Sequence, residues 1–243
     1  MNGKVVNLRK QAPLILLLII IITFAGTFSI IFKLYGHELY LPSSAVTDIS
    51  RVVIIDAGHG GEDCGAIGVN GAYEKDLNLA VAIMIGEGLA EQGYIPVFTR
   101  TEDKLLYKPE EDIKGIRKIS DLKNRCAIAA QYPKAPFISI HMNKFGQSNC
   151  NGAQIYCSSS DGSQRLGELI KASIKEDLQP DNNRGLKGSD GIYLLENMTN
   201  PAVLVECGFL SNPEECELLC KKEYQKQLSF SIVCAIIEYM KKI

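Results

Sequence analysis

The alternation of short β-rich runs with longer helical stretches after residue 51 most constrains how this chain can fold. Val52–Ile55 and Phe137–Ile140 have the apolar composition of buried strands. Between them, residues 74–92 place apolar side chains at the spacing of one helix face, and Gly93 follows as a stop signal. Strand and helix in repetition predict a single α/β domain, with a twisted, mostly parallel or mixed central sheet flanked by helices.

Other segments continue this pattern to the end of the chain. Pro96 predicts that its strand lies at a sheet edge or contains a bulge, because proline cannot donate a hydrogen bond to a neighbouring strand. We expect further strand-like runs at 94–99, 153–156, 192–195 and 202–205, and helices at about 120–131, at 163–177 and within 223–239.

Length and charge exclude several classes of protein. The chain has 243 residues, which corresponds to one or two domains. It contains 26 basic and 28 acidic residues, with a formal net charge of −2. This balance argues against nucleic acid as the main partner, since the phosphate backbone requires a basic face. Hydrophobic residues make up 46% of the sequence, which excludes wholesale disorder.

Residues 12–32 form an apolar run of 21 residues without a charge. About 20 such residues span the hydrocarbon of a bilayer as a helix, so we predict one N-terminal transmembrane anchor. Basic side chains at Lys4, Arg9 and Lys10 precede it and predict a cytoplasmic N-terminus, with the rest of the chain exported. A cleaved signal peptide and a secreted protein remain the alternative.

This interpretation divides the chain into four parts. The turn-rich composition after residue 32 predicts a linker that leads away from the membrane. The expected parts are a cytoplasmic basic segment (1–11), an anchor or signal segment (12–32), a linker (33–50) and an exported α/β domain (51–243).

The eight cysteines contain no C-x-x-C pair, which argues against a zinc ribbon or a thioredoxin-like motif. A domain of this size does not need disulfides for stability. We therefore expect mostly reduced cysteines. One or two disulfide bridges remain the alternative. Cys207 and Cys234 lie in strongly apolar stretches, where a free cysteine behaves as a small buried hydrophobic residue.

Chemically similar side chains follow three of the predicted strands. His59, His141 and Glu206 each lie at or just beyond a strand end, and Glu74 begins the first helix. Active groups of α/β folds gather at the carboxyl ends of strands. His59, Glu74 and His141 together form the His₂Glu set of an open, catalytic zinc site.

Each of these residues also has an ordinary structural interpretation. His59 could be exposed in its glycine-rich turn, and His141 could be a hydrogen-bonded core residue. Glu74 could be an acid that interacts with the helix dipole, and Glu206 could be a solvated strand end. The glycines around His59 could hold a phosphate, although the P-loop and dinucleotide motifs are absent. The combination carries more weight than any single residue.

Four motifs occur in order along the chain: VIIDAGHGG (53–61), YEKDLNL (73–79), SIHMN (139–143) and PAVLVECGFLSN (201–212). Together they resemble the zinc-dependent N-acetylmuramoyl-L-alanine amidases of amidase-3 type. The resemblance covers about residues 52–240, and the segments 183–187 and 192–195 also look like family segments. It implies one Zn²⁺ per chain held by His59, Glu74 and His141, with Glu206 as the catalytic carboxylate.

The resemblance implies hydrolysis of the amide bond between N-acetylmuramic acid and L-alanine in peptidoglycan. The architecture, a bare catalytic domain on an N-terminal anchor, is similar to that of germination-specific amidases. It implies a role in the spore cortex that allows muramic-δ-lactam formation, and a location in the spore envelope. Alternatives are vegetative wall remodelling or cell separation, a catalytically silent wall-binding scaffold, and glycoside hydrolysis by paired carboxylates. An accessory protein is left open.

Overall fold

A computed structural model describes residues 48–113 and 115–242 of the chain. The predicted basic segment 1–11, the predicted anchor 12–32 and nearly all of the predicted linker 33–50 lie outside these residues. Within the described ranges, no helix combines the length and the apolar character needed to cross a bilayer. The chain from Ile49 onward clusters as one unit.

The order of elements follows the predicted alternation. The strands are β1 (Val52–Ala57), β2 (Ile95–Phe98), β3 (Phe137–Asn143), β4 (Gln154–Cys157) and β5 (Ala202–Phe209). The helices are α1 (Glu74–Glu91), α2 (Arg117–Ala130), α3 (Ser163–Asp177), α4 (Tyr193–Glu196), α5 (Pro213–Leu219) and α6 (Lys222–Met240). Single turns of 3₁₀ helix lie at Ile49–Arg51 and Pro109–Glu111.

The five strands form one mixed sheet in the order β2-β1-β3-β5-β4. All neighbouring pairs are parallel except β4 and β5, which are antiparallel. The predicted fold class, a single α/β domain with a mixed sheet flanked by helices, is therefore confirmed. Pro96 lies in β2 at the sheet edge, as its missing N–H group predicts.

Helices cover both faces of the sheet and create two apolar cores. Val53 and Ile55 of β1 belong to a core shared with α1, α3 and α6. Val52 and Ile54 belong to a second core, to which α2 and α4 contribute. Strands buried on both faces read as continuous apolar runs, which is why β1 was recognisable from sequence.

Two elements differ from the prediction. Residues 192–195, expected as a strand-like run, contribute instead to the short helix α4, which begins at Tyr193. Helix α5 was not predicted, although Asn212 caps it by accepting a hydrogen bond from the Glu215 N–H at 3.1 Å, and Pro213 is its first residue. Asparagine followed by proline is a recognised signal for a helix start.

The cysteine predictions are partly wrong. All eight cysteines lie within the described residues and are free thiols, as expected by default. Cys207 is fully buried, as predicted. Cys234, by contrast, is exposed on α6. The apolar stretch around Cys234 is helical, so one of its faces is turned to solvent even though its neighbours are apolar.

Candidate active site

The carboxyl ends of three adjacent strands bring the predicted site residues to one edge of the sheet. β1, β3 and β5 are parallel neighbours, so their ends lie side by side. His59 follows β1 by two residues, whereas His141 lies within β3 and Glu206 within β5. His141 and Glu206 are register partners on neighbouring strands. The register is irregular between His141 and Asn143, next to the site.

Glu74 completes the cluster from the other direction, as the first residue of α1. Its Oε1 atom lies 3.2 Å from Nε2 of His59 and 2.9 Å from Nδ1 of His141. The three side chains each offer a ligand atom, and these atoms all lie within 4.8 Å of one another. Residues far apart in sequence therefore converge on a space of the size of one metal ion.

The Glu74 carboxylate is held by donors on several elements. Oε2 accepts a hydrogen bond from the Ala66 N–H at 2.7 Å, and Oε1 accepts one from the Met142 N–H at 3.2 Å. Burial raises the pKa of Glu74, but hydrogen bonds from His141 and His59 outweigh this effect and hold the pKa well below its usual range. Glu74 is therefore an ionised carboxylate in a fixed orientation.

The His59 ring is oriented by a second carboxylate. Its Nδ1 atom lies 3.0 Å from Oδ2 of Asp63, which leaves Nε2 to face Glu74. Burial lowers the pKa of His59, but hydrogen bonds to Asp63 and Glu74 outweigh this effect and raise the pKa to about 9. Positive charge is thus favoured at this position, whether a proton or a metal cation supplies it.

The donor set of these three residues fits zinc. Neutral imidazole nitrogen and carboxylate oxygen are ligands that Zn²⁺ takes in proteins, and three protein ligands leave a position for water or substrate. A histidine ligand whose other ring nitrogen meets a carboxylate, as His59 meets Asp63, has the usual outer contact of a zinc site. The chemistry of the cluster therefore agrees with the metal that the sequence suggested.

Two glycines make room for the cluster. A Cβ atom on Gly58 would lie 2.1 Å from Nε2 of His141, inside the imidazole ring's contact distance. A Cβ atom on Gly65 would lie 2.5 Å from Oε2 of Glu74, and this residue also has a φ of +65°. Gly58 and Gly65 thus allow the close packing of His141 and Glu74 in the site.

Glu206 has one carboxylate oxygen that stands out in the described part of the chain. Among the described residues, its Oε2 atom is buried and has no hydrogen-bond partner. Burial raises the pKa of Glu206 to about 7, against a smaller opposing effect of His141. Buried polar atoms are usually paired, and an orphaned carboxylate oxygen beside a histidine cluster is typical of a group that acts on a substrate or a water molecule.

Beneath the site, a buried arginine ties three segments together. Nη1 of Arg125 lies 2.6 Å from Oδ1 of Asp56, and Nε lies 2.8 Å from Oδ2 of Asp121. The same guanidinium donates to the carbonyl oxygens of Ala57 and His59, at 2.7 and 2.8 Å. Because Arg125 is on α2, it fixes the backbone that leads from β1 into the His59 turn.

Asp56 at the centre of this network is fully buried. Burial raises the pKa of Asp56, but Arg125 and the hydroxyl groups of Ser139 and Thr99 outweigh this effect, so that the pKa lies below its usual value. Asp56 is therefore ionised and fully satisfied, and the pair supports the site without facing it.

Several supporting residues were not predicted from the sequence. Asp63 and Asn78 contact the predicted ligands His59 and Glu74 directly. Their spacing offered a weak signal, because each lies four residues beyond its partner. Arg125 gave no signal of its contact with the site, since its partners Asp56, Ala57 and His59 are 66 to 69 residues away.

The fold and the site define a class of protein. Residues 53–238 match the Amidase_3 family of N-acetylmuramoyl-L-alanine amidases. The chain belongs to this family and is an N-acetylmuramoyl-L-alanine amidase that acts on peptidoglycan, as the motifs suggested.

The alignments with individual relatives cover most of this chain. The germination-specific N-acetylmuramoyl-L-alanine amidase of Bacillus subtilis is 36% identical over 192 residues, which cover 78% of this chain and 79% of the relative. The amidase LytC of the same organism is 29% identical and covers 79% of this chain, but only 36% of LytC is matched. The CwlD amidase of Clostridioides difficile, solved in complex with the GerS lipoprotein, superimposes with a TM-score of 0.76. It is 37% identical, with 79% of this chain and 100% of that chain covered.

Proposed function

We propose that this chain is a zinc-dependent amidase in which His59, Glu74 and His141 hold one Zn²⁺ ion. It cleaves the amide bond between N-acetylmuramic acid and L-alanine. The observation that carries the proposal is the convergence of two imidazole nitrogens and one carboxylate oxygen within 4.8 Å of one another. When bound, zinc supplies a Lewis acid that polarises the scissile carbonyl and lowers the pKa of a water molecule.

Glu206 is proposed as the general base and acid of the reaction. Its carboxylate accepts the proton of the attacking water and then delivers it to the departing L-alanine nitrogen. The support is its position opposite His141 in the β3/β5 register and its buried, unpartnered Oε2 atom. Such proton transfer is typically worth about 10²–10⁴-fold in rate.

The other residues of the site hold the reacting groups in place. Asp63 keeps Nε2 of His59 turned toward Glu74. Asn78 lies one turn after Glu74 on α1, and its Nδ2 atom donates to the Gly58 carbonyl oxygen at 3.1 Å and to Glu74 Oε1 at 3.3 Å. This contact links the helix that carries one ligand to the loop that carries another.

The biological setting we propose is the spore cortex. Removal of the peptide from muramic acid then allows muramic-δ-lactam formation by a further enzyme. Support comes from the share of each relative that aligns with this chain. The match covers 79% of the germination-specific amidase but only 36% of LytC. Mass spectrometry of cortex muropeptides from a deletion strain tests this role. Unchanged lactam content would reject it and favour vegetative wall remodelling.

The location we propose is the extracytoplasmic face of a membrane, in the spore envelope. The apolar residues 12–32 and the preceding basic residues support an uncleaved anchor that holds the catalytic domain, residues 51–243, outside. The C. difficile relative was solved in complex with a lipoprotein. We propose that this chain also binds an accessory lipoprotein.

Product mapping on purified peptidoglycan tests the proposed reaction. The zinc-loaded protein is expected to release stem peptides with a free L-alanine amine, without new reducing ends. A zinc-loaded Glu206→Gln variant is the matched control and is expected to lose about 10²–10⁴-fold in rate. New reducing ends without free amines would instead identify a glycosidase. No released product of either kind would favour a catalytically silent scaffold.

A further inference from the structure

The segment Asn183–Lys187 resembles a family segment in sequence but is not used by the site described above. It runs along the outer edge of β4, where Lys187 forms an isolated parallel bridge with Tyr156. The Lys187 N–H donates to the Ile155 carbonyl oxygen at 3.0 Å, and the Cys157 N–H donates to the Lys187 carbonyl oxygen at 2.9 Å. The backbone of Lys187 is therefore fixed to the sheet.

The bridge determines which way the Lys187 side chain points. Bridged residues of a sheet share a face, so Lys187 lies on the same side as Tyr156, and its Nζ atom is 5.4 Å from the centre of the tyrosine ring. Leu186 packs against the core on the opposite face. The Lys187 side chain therefore lies over the face of the sheet that carries Tyr156.

This face is also the face of the catalytic carboxylate. Gln154, two residues before Tyr156 on β4, is the register partner of Glu206 on β5. Side chains two residues apart on a strand point to the same side. The side chains of Tyr156, Gln154 and Glu206 therefore point to one side of the sheet, where Gln154 is buried and Lys187 is exposed at the edge.

The Lys187 ammonium group is available for a ligand. Lys187 is exposed, and among residues 48–113 and 115–242 no carboxylate forms an ion pair with it. Arg184 in the same segment is already engaged, since its Nε donates to the Asn151 carbonyl oxygen and its guanidinium stacks on Phe209 at 4.8 Å. Lys187 is the cation of this segment with free donors.

The separation between Lys187 and Glu206 corresponds to a peptide of a few residues. Two strand spacings of about 4.8 Å and two residues of about 3.3 Å separate Lys187 from Glu206, so their backbones are about 12 Å apart. An extended peptide advances about 3.3–3.6 Å per residue. A carboxylate on the second or third residue of the stem, counted from the scissile amide at Glu206, would reach the Lys187 ammonium.

We propose that Lys187 determines substrate specificity by binding a carboxylate of the stem peptide, on the residue that follows L-alanine or the next one. This inference rests on the proposed amidase function. The Tyr156 ring beneath the ammonium orients the lysine stem and shields one side of the ion pair from water. Lys187 does not touch the scissile bond, so its substitution affects capture of the acidic substrate rather than proton transfer.

The experiment compares two muramoyl peptides with the zinc-loaded full chain. One carries free carboxylates on its second and third stem residues, and the other has both converted to primary amides. The Lys187→Met variant keeps the aliphatic stem over Tyr156 but removes the charge, and Lys187→Arg restores a cation. Lys226→Met, an exposed lysine on α6, is the matched control.

We expect Lys187→Met to lower kcat/KM for the acidic peptide by about fivefold, mainly through KM, with little change for the diamide. Lys187→Arg is expected to recover most of the loss, and Lys226→Met to behave as wild type. Equal effects of Lys187→Met on both peptides, or none on either, would overturn the proposal. If the wild-type protein releases no amine from either peptide, the proposed amidase function itself fails.

Discussion

The buried pair of Arg125 and Asp56 offers a quantitative test of how the site is supported. Both side chains are at most 1% exposed, and Nη1 of Arg125 lies 2.6 Å from Oδ1 of Asp56. Replacing Arg125 by methionine keeps an unbranched side chain but leaves the Asp56 carboxylate buried without a counterion. Loss of one partner of a buried pair costs about 3–5 kcal/mol of unfolding free energy.

Urea unfolding in the presence of a chelator measures this cost without a contribution from bound metal. We expect Arg125→Met to lose about 3–5 kcal/mol, or about 10 °C in Tm. The double variant Asp56→Asn with Arg125→Met is expected to lose much less than the sum of the single variants. In the double variant Asp56 is neutral, and only Asp121 is left as a carboxylate that has lost Arg125. Arg51→Met, at an exposed arginine, is the control and is expected to change stability by less than about 0.5 kcal/mol.

Two results would refute this reasoning. A cost below about 1 kcal/mol for Arg125→Met would show that the network does not stabilise the β1 exit. Full additivity of the two substitutions would show that the charges do not interact, whatever their separation.

Three further predictions concern the same region. Gly58→Ala is expected to lower zinc content and turnover because its Cβ would lie 2.1 Å from His141 Nε2, whereas Gly146→Ala, with no atom within 4 Å, is expected to change neither. Asp63→Ala is expected to weaken zinc binding about 10–100-fold in chelator competition, and unchanged affinity would contradict its orienting role. Because the folded-state pKa of Asp56 is lowered, its contribution to stability is present above its unfolded pKa of about 3.9 and is lost as the pH falls through the folded value. The unfolding free energy is therefore expected to drop in this acid range, and a flat curve there would count against an ionised Asp56.

The sequence was most informative where periodicity and strand ends coincide. Apolar runs on both faces identified β1 and the start of β3, and the residues that follow them included His59 and His141. Parallel neighbours carry such residues to one edge of the sheet, so their convergence could be expected from the sequence. Pro96 similarly located the edge strand β2.

The sequence was least informative where structure depends on distant partners. The run at 192–195 is too short to show a helical period, and its packing beside the second core produces α4 rather than a strand. The pairing of Arg125 with Asp56 joins residues 69 positions apart, and no local pattern encodes it. The exposure of Cys234 likewise depends on which face of α6 the core covers.

Metal analysis of purified variants tests the central claim most directly. Elemental analysis is expected to find one zinc per chain in the wild-type protein and in Glu206→Gln. Both His59→Ala and His141→Ala are expected to fall well below this value, because each removes one of three ligands. A His141→Ala protein that folds and still carries one zinc per chain would contradict the account.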